Sequence, residues 1–546
     1  MNPEHKKYIL ENVGKKSVRQ IAGDLHLKEK VVKRLLEKEK GLSKQADAGF
    51  KTDKEGKQSR SKWSIFISVT LIIILGFIVY GNSINGKFVW DDQGLIKENK
   101  YIQNSSKLSN IFNADIGRGG PEKSAFYRPM QMLSYMVDYA LWNLDYRGYH
   151  LTNMMLHILA ALCLLWFINV LFKNSLLSFL TAALFVVHPV HTEAVSYISG
   201  RADPLALIFI LVSFIFYIKS SDNIDPITYL FMTISFMMAL LAKESSLIFP
   251  VLLLLYHRIF KIKFKVREFF TISAVFLAYI LFRTLILNIG NSGPLSHTTL
   301  PQRVPGFFVA IASYIRLLLL PLNLHMEYGK EAFPIFDPAA VIGVVILSLS
   351  LTYALRKKNN NRLVHFFILW FFIAILPVSN LYPINAYMAE HWLYLPSIGF
   401  FAILAYGLDS LYEKKQLRVY AAILTIGLLY FYSYLTIDQN NYWKNSTYLY
   451  ERTLKYSPDN ITLLNNLGNE YDIAGEHEKA MAVFKKAIEI KPEFATSYNN
   501  LGNVYYSMGN KAEAAALYRK ALELNQNYAD ARYNLDVVTK ELERIE

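Results

Sequence analysis

Residues 175–218 read SLLSFLTAALFVVHPVHTEAVSYISGRADPLALIFILVSFIFYI, two apolar runs that enclose the short polar segment 192–203. A helix of roughly 20 apolar residues is enough to cross a bilayer. We therefore predict two membrane-spanning helices, over 175–191 and 204–218, joined by a polar loop outside the hydrocarbon.

The same pattern extends over most of the chain. Of its 546 residues, 53% are hydrophobic and only 19% are charged, whereas soluble domains average about 25% charged residues. The sequence predicts an all-α, polytopic membrane bundle over residues 63–437. The single cysteine, Cys163, excludes an intramolecular disulfide and a CxxC metal site. The eleven predicted spans are residues 63–80, 151–172, 175–191, 204–218, 226–242, 246–260, 269–289, 338–355, 363–380, 395–412 and 417–437.

The stretch 304–322 is long enough to be a twelfth span, but it carries Arg316. Cytoplasmic loops are enriched in Lys and Arg. With eleven spans and the basic N-terminus inside, the short inner loops are basic, while the short outer loops hold only Arg201 and Lys243. A twelfth span would place two of the basic loops outside, so we predict an interfacial helix within an outer loop, 290–337. The N-terminus is then cytoplasmic and the C-terminal tail extracytoplasmic.

Residues 1–40 resemble a small helix-turn-helix unit, because the stretch SVRQIAGDLHLKEKVVKRLLE places its apolar residues where such a unit packs its core. Residues 41–62 form a charged linker. Since the rest of the chain is membrane-bound, we expect no nucleic-acid partner. A basic flank ahead of a span is attracted to anionic lipid, so the bilayer is the expected partner.

The tail, 438–546, is polar and repetitive. A period of 34 residues, with small residues where two helices cross, is typical of tetratricopeptide repeats. We predict full repeats over 461–494 and 495–528, a half-repeat before them and a capping helix after Ala529. The positions that recur are Leu467/Leu501, Gly468/Gly502, Tyr471/Tyr505, Ala480/Ala514, Phe484/Tyr518 and Ala487/Ala521.

Two adjacent carboxylates, Asp91 and Asp92, follow the first span in the segment FVWDD. Carboxylates at a membrane boundary are costly unless they face water, a cation or a reacting group. The aromatic residues ahead of them favour a position at the interface. Both are candidate catalytic residues, and the alternative is a solvated pair of loop acids.

The end of the predicted span 175–191 and the polar loop after it hold five more candidates for substrate binding: His188, His191, Glu193, Arg201 and Asp203. The two histidines and the glutamate have the spacing of a partial site for a divalent metal, but no further ligand can be assigned, so the metal stays open. The alternatives are a polar helix end and a cavity in which the arginine binds phosphate.

Two further polar clusters lie at the outer ends of predicted spans. Lys243 and Glu244 interrupt a long apolar stretch, and Glu390, His391 and Tyr394 precede the tenth span. The ordinary explanations are a self-paired turn and an aromatic belt. Because the eleven-span topology places all of these clusters on the outer face, we predict one extracytoplasmic site at the membrane boundary.

These motifs resemble the TMTC-type family, membrane O-mannosyltransferases that end in tetratricopeptide repeats. The resemblance covers about residues 63–546 and implies the GT-C membrane glycosyltransferase fold. It also implies that Asp91 or Asp92 is the general base, whereas His391 stands where the family has an arginine. The N-terminal unit is unusual for animal members, so we expect a prokaryotic cell membrane. The matching stretches are FVWDD, HPVHTEAVSYISGRAD, LLAKESS, SYIRLLLLPLNLHMEY and AEHWLYLPSIGF.

The resemblance implies a polyprenyl-phosphate-linked, mannose-like sugar as donor and a protein hydroxyl as acceptor. Cations near the membrane would stabilise the leaving phosphate, and the candidates are Arg201, Lys243, Arg316 and His391. The repeats would hold the protein acceptor. Two other functions stay open: a glycan ligase or polymerase that uses a lipid-linked donor, and a non-enzymatic membrane scaffold whose repeats recruit partners.

Overall fold

The computed structural model describes residues 23–25, 27, 65–120, 126–220, 225–287, 298–329, 332–356, 361–384 and 386–544. Within those residues the chain forms helices, turns and loops without a β-strand, so the all-α prediction is confirmed. The predicted unit 1–40 and linker 41–62 lie outside the described residues except for 23–25 and 27. The chain divides into two units, 1–63 with 260–263 and 64–259 with 264–546. The candidate site lies in the second.

Each of the eleven predicted spans coincides with a helix. Across the described residues, six helical segments are long and apolar enough to cross a membrane, or seven if the bent pair Ser175–Val187 and Pro189–Val195 forms one span. The chain is thus an integral membrane protein, while the count of eleven stays a prediction, because helices such as Phe249–Phe260 are short. The eleven helices are Ile65–Tyr80, Tyr146–Phe172, Ser175–Val187, Ala202–Lys219, Pro226–Ala242, Phe249–Phe260, Val266–Leu281, Pro338–Leu355, Arg362–Ile375, Ser397–Glu413 and Arg418–Asn440.

The stretch predicted to lie at the interface is also a helix, Leu300–Leu319, and it is absent from the six candidate spans of the described residues. A capping box at Thr299 begins it: the threonine side chain accepts from the N3 backbone, and the Gln302 side chain accepts from the Thr299 backbone. It packs closely on Pro338–Leu355, since a side chain at Gly343 would collide with the Phe308 backbone. Its depth in the membrane stays a prediction.

The segment 81–150, called here the first outer loop after its predicted side of the membrane, is folded over its described residues. It contains the short helix Leu108–Phe112 and the longer helix Pro129–Trp142, and it leads directly into Tyr146–Phe172. Burial of apolar side chains stabilises this loop against the polar segment before Ala202–Lys219. The buried members of that core are Ile96, Ile102, Ile111, Ile116, Met132, Tyr135, Met136, Tyr149 and Ile198.

The tail folds as the 34-residue period predicts. A side chain at Gly468 or Gly502 would place its Cβ within 2.5 Å of the Phe484 ring or 2.7 Å of the Tyr518 ring, respectively. Glycine is therefore what lets the two helices of each repeat approach. The helices are Ser446–Leu454 as the half-repeat, Ile461–Ile473 and His477–Ile490, Ala495–Ser507 and Lys511–Leu524 as the full repeats, and Ala529–Glu543 as the cap.

The tail and the first outer loop lie on the same side of the bundle. The Lys87 backbone N–H donates to the Lys444 carbonyl at 2.8 Å, and the Asn82 side chain donates to the Ile437 carbonyl at 2.8 Å. Two segments on the same side of a membrane are separated by an even number of spans. Counted together with the first span the number is odd, as in the eleven-span topology.

We expect a reporter fused after Glu546 to be extracytoplasmic and one inserted at Asn360 to be cytoplasmic, because Lys and Arg concentrate in inner loops. Alkaline phosphatase and a cytoplasmic fluorescent protein, each fused at both positions, give opposite signals on the two sides. A tail reporter active only in the cytoplasm would contradict the topology.

Candidate functional site

One segment, the central loop (188–203), connects the polar clusters that the sequence singles out. It contacts three other parts of the chain at three successive points, and each contact is a direct hydrogen bond or ion pair. The predicted convergence of these clusters is therefore present in the structure. The contacts are Glu193 with His391, Ser199 with Asp92, and Asp203 with Lys243.

The two adjacent aspartates have different environments. Asp92 is fully buried: its Oδ1 accepts from the Ser199 N–H at 2.9 Å and the Ser199 hydroxyl at 2.5 Å, and its Oδ2 accepts from the Val89 N–H at 3.0 Å. Burial raises the pKa of Asp92 to about 7, although these hydrogen bonds lower it. Asp91 is exposed. Asp92 thus anchors the loop, and Asp91 presents its carboxylate to solvent.

The Asp91 carboxylate lies beside Tyr197 of the central loop. Burial raises the pKa of the Tyr197 hydroxyl well above its ordinary value, and the charge of Asp91 adds to the rise. The residue ahead, Trp90, has a left-handed backbone with φ of 51°. This conformation is unfavourable for a bulky side chain and persists only where the surroundings impose it.

A second acidic pair, Glu193 and Glu390, lies at the other end of the central loop. Glu193 accepts from the His391 backbone N–H at 2.9 Å and pairs with His391 Nδ1 at 2.7 Å. Glu390 Oε1 accepts from the His325 N–H and the Tyr328 hydroxyl, both at 2.7 Å. Burial raises the pKa of Glu390 well above its ordinary value, and the Glu193 carboxylate contributes to this. Burial and the neighbouring Glu193 carboxylate thus disfavour the ionised form of Glu390.

A self-paired turn would require an ion pair between Lys243 and Glu244, but each of them pairs with another residue. Lys243 Nζ lies 2.6 Å from both carboxylate oxygens of Asp203, and Glu244 pairs with Arg128 at 2.9 Å. Burial lowers the pKa of Lys243, although Asp203 opposes the change. The two ion pairs join the central loop to the start of the helix Pro129–Trp142, so the motif is a cross-link between distant segments.

Arg201, predicted to bind phosphate, is fully buried in the fold. It pairs with Asp138 at 2.6 Å and donates from Nε to Asn153 Oδ1 at 2.8 Å and from Nη2 to the Tyr149 carbonyl at 3.2 Å. A guanidinium with these partners and no exposed surface is not available to a ligand. The structure therefore corrects the expectation: Arg201 holds the first outer loop against the central loop.

His188, His191 and Tyr394 are likewise buried, in a cluster of rings. His188 Nε2 lies 3.2 Å from the Leu318 carbonyl, and the Tyr394 hydroxyl lies 2.6 Å from His157 Nδ1. The three buried side chains support the central loop and expose no surface to a substrate. The prediction that they bind substrate is therefore corrected.

The three side chains considered for a divalent metal point to different partners. His188 contacts a backbone carbonyl, His191 Nε2 faces the Ser397 hydroxyl at 3.5 Å, and Glu193 pairs with His391. Over the described ranges, no group of three or more His, Cys, Asp or Glu side chains is arranged to hold a metal ion. His188, His191 and Glu193 are therefore not arranged as ligands of one metal ion, and no chemical step is assigned to a metal.

Arg316 is exposed and donates from Nη1 to the Leu322 carbonyl at 3.4 Å. Burial and Glu390 raise the pKa of Tyr328 well above its ordinary value, and the Arg316 charge opposes the rise. The Arg316 charge therefore acts on Tyr328, whose hydroxyl donates to Glu390. Of the predicted basic candidates it is the most accessible.

Several residues that build the site were not predicted from the sequence. Ser199 lies within a motif quoted above, and Asp138 and Arg128 lie in the first outer loop. No sequence pattern indicates a function for any of the three. Their functions depend on tertiary contacts, so no local spacing identifies them. The aromatic pairs between the loops and the tail, such as Trp90 with Tyr450 at 5.8 Å, are of the same kind.

Known proteins resemble this chain in its repeats and over most of its length. A tetratricopeptide repeat model matches residues 495–528, and a second TPR repeat model matches residues 468–509. Mouse protein O-mannosyl-transferase TMTC3 is 26% identical over 467 residues, 77% of this chain and 50% of that protein. The resemblance to the TMTC-type family is confirmed. Human protein O-mannosyl-transferase TMTC1 is 26% identical over 74% of this chain and 53% of its own.

Protein O-mannosyl-transferase F38B6.6 of Caenorhabditis elegans is also 26% identical, over 78% of this chain and 62% of that protein. The chain spans about half the length of the TMTC3 relatives it matches. Since these relatives are animal proteins, they do not support the expectation of a prokaryotic membrane. The crystal structure of ArnT from Cupriavidus metallidurans, bound to undecaprenyl phosphate, aligns with 86% of this chain and 88% of ArnT at 12% identity and a TM-score of 0.39.

Proposed function

We propose that the chain is a membrane glycosyltransferase that moves a mannose-like sugar from a polyprenyl-phosphate donor to a protein hydroxyl on the outer face of the membrane. The observation that carries the proposal is the exposed Asp91 carboxylate on a loop that Asp92 anchors from below. The curated relatives are named protein O-mannosyl-transferases, which supports the reaction class.

Asp91 is the proposed general base. Its carboxylate accepts the proton of the acceptor hydroxyl while that oxygen attacks C1 of the sugar. The bond between C1 and the phosphate oxygen breaks, and the lipid phosphate leaves with the electron pair. General-base assistance of this kind contributes roughly 10²- to 10⁴-fold to the rate. Asp92 does not fit this role, because it is fully buried and both of its oxygens accept hydrogen bonds.

The leaving phosphate requires positive charge near the membrane boundary. Arg316 is exposed there, and His391 and Arg128 are partly exposed while each pairs with a glutamate. A cation paired to a carboxylate is held in place but partly neutralised. We therefore assign the main phosphate contact to Arg316 and a supporting one to His391.

The repeats are the proposed binding surface for a protein acceptor. They leave the bundle on the side of Asp91, as the backbone contact of Lys87 with Lys444 requires. Stacked repeats present an extended surface that suits a polypeptide. This favours a protein acceptor over a glycan. The ligase and scaffold functions predict different glycosylation products, which the following test separates.

The test compares extracytoplasmic proteins from cells that carry or lack the chain by glycopeptide mass spectrometry. We expect hexose on serine or threonine to disappear without the chain and to return with the wild-type sequence. Loss of a lipid-linked glycan product, with protein glycosylation unchanged, would instead identify a ligase or polymerase. Unchanged glycosylation of both kinds would contradict the enzyme and leave the scaffold.

A further inference from the structure

We propose that the half-repeat helix, Ser446–Leu454, is a positioning part of the catalytic site, and that Tyr450 on it fixes the loop carrying Asp91. The repeats would then shape the site itself in addition to binding an acceptor. This inference rests on the proposed function for its kinetic meaning, whereas its structural content stands on contacts alone.

The first contact is between Tyr450 and the loop. The rings of Trp90 and Tyr450 meet edge to face with centroids 5.8 Å apart, and Tyr450 is only 5% exposed. Trp90 adopts the left-handed backbone conformation immediately before Asp91. Such a conformation is unfavourable in a non-glycine residue and needs external support. The Tyr450 ring supplies that support from outside the loop.

The second set of contacts surrounds the first. Val89 is 2% exposed and belongs to one apolar core with the first repeat, and Trp443 stacks on Tyr197 with centroids 5.3 Å apart. Both flanks of Asp91, the loop before it and the tyrosine beside it, therefore pack on the tail. On the tail side this core includes the buried side chains of Trp443, Leu449, Tyr450 and Leu463.

The same helix also holds the Glu390 cluster. Arg452 Nε donates to the Leu324 carbonyl at 3.4 Å, and just beyond the helix Tyr456 stacks on His325 with centroids 4.3 Å apart. The His325 N–H is one of the two donors to Glu390. The half-repeat helix and the residues just after it thus contact the segments that position both Asp91 and Glu390. A flexible tether for the repeats would not make such contacts.

The test uses Tyr450→Ala with two controls. Tyr450→Phe keeps the ring, and Tyr518→Ala removes an equally buried tyrosine from the second repeat, where it packs on Gly502 away from the loop. Each purified variant is assayed at saturating donor with a short peptide acceptor, and kcat is normalised to folded protein. A small displacement of a catalytic group is enough to cost up to about 100-fold. We expect a loss of at least about tenfold in kcat for Tyr450→Ala and wild-type kcat for both controls.

Amide hydrogen exchange gives a readout independent of activity. The N–H of Asp92 donates to the Val89 carbonyl at 3.0 Å and that of Leu95 to the Asp91 carbonyl at 2.8 Å. Both should exchange faster in Tyr450→Ala but not in Tyr518→Ala. Equal exchange and equal kcat in the two alanine variants would overturn the inference. If the wild type transfers no sugar, the proposed function fails, and the exchange rates still decide whether Tyr450 fixes the loop.

Discussion

Asp91→Asn should lower sugar transfer by about 100-fold or more and leave the protein inserted and folded. The amide keeps the volume of the carboxyl group but does not accept the acceptor proton, and general-base assistance is worth roughly 10²- to 10⁴-fold. Because Asp91 is exposed, its charge contributes little to folding. The measurement is the initial rate of transfer by purified protein, together with its thermal unfolding midpoint in the same detergent.

Two neighbouring acids serve as matched controls. Glu98→Gln removes an exposed charge on the same loop, where Glu98 pairs with Gln93, and should keep wild-type activity. Asp92→Asn should lower stability as well as activity, since it disturbs the bonds to Val89 and Ser199. Wild-type transfer by Asp91→Asn, or a loss of the same size in Glu98→Gln, would contradict the assignment of the base.

Arg201→Met should destabilise the protein by about 3–5 kcal/mol, the usual result of breaking a buried ion pair. The substitution leaves Asp138, which is 2% exposed, with the Thr152 hydroxyl at 2.7 Å but without its ion-pair partner at 2.6 Å. The expected readout is a lower midpoint of chemical or thermal unfolding, with reduced yield in the membrane.

The double variant Arg201→Met with Asp138→Leu separates charge from packing. Replacing both members of a buried pair by apolar residues is often neutral or stabilising. We therefore expect the double variant to recover most of the lost stability. A single variant as stable as wild type would show that Arg201 is not held as described, and would reopen its assignment as a phosphate contact.

The arrangement of helices was predictable because it depends on local pattern. Helices are indicated by runs of apolar residues, and the paired helices of the repeats by the 34-residue period and the glycines at 468 and 502. Each of these signals lies within a short stretch of sequence. The convergence of the polar motifs was also predictable, because the predicted eleven-span topology places all of them on one face of the membrane. The number of spans was not, since helices as short as Phe249–Phe260 do not meet a length criterion for crossing.

The roles of individual charges depend on contacts between distant segments, which sequence patterns do not contain. Asp91 and Asp92 are adjacent in sequence and differ because Ser199, more than a hundred positions away, buries one of them. Arg201 resembles a phosphate ligand in its motif, but Asp138 occupies it. The packing of Tyr450 on Trp90 joins the tail to the first outer loop, and nothing local to either residue indicates it.

Sugar transfer is tested most directly in proteoliposomes that contain only the purified chain, a polyprenyl-phosphate hexose labelled in the sugar, and a serine- and threonine-containing acceptor protein. We expect the label to move from the lipid to the hydroxyl side chains, from which alkaline β-elimination releases it, and we expect Asp91→Asn to transfer it about 100-fold more slowly or worse. Label that stays on the lipid with the wild-type chain, across mannose and other hexose donors, would contradict the proposed transferase.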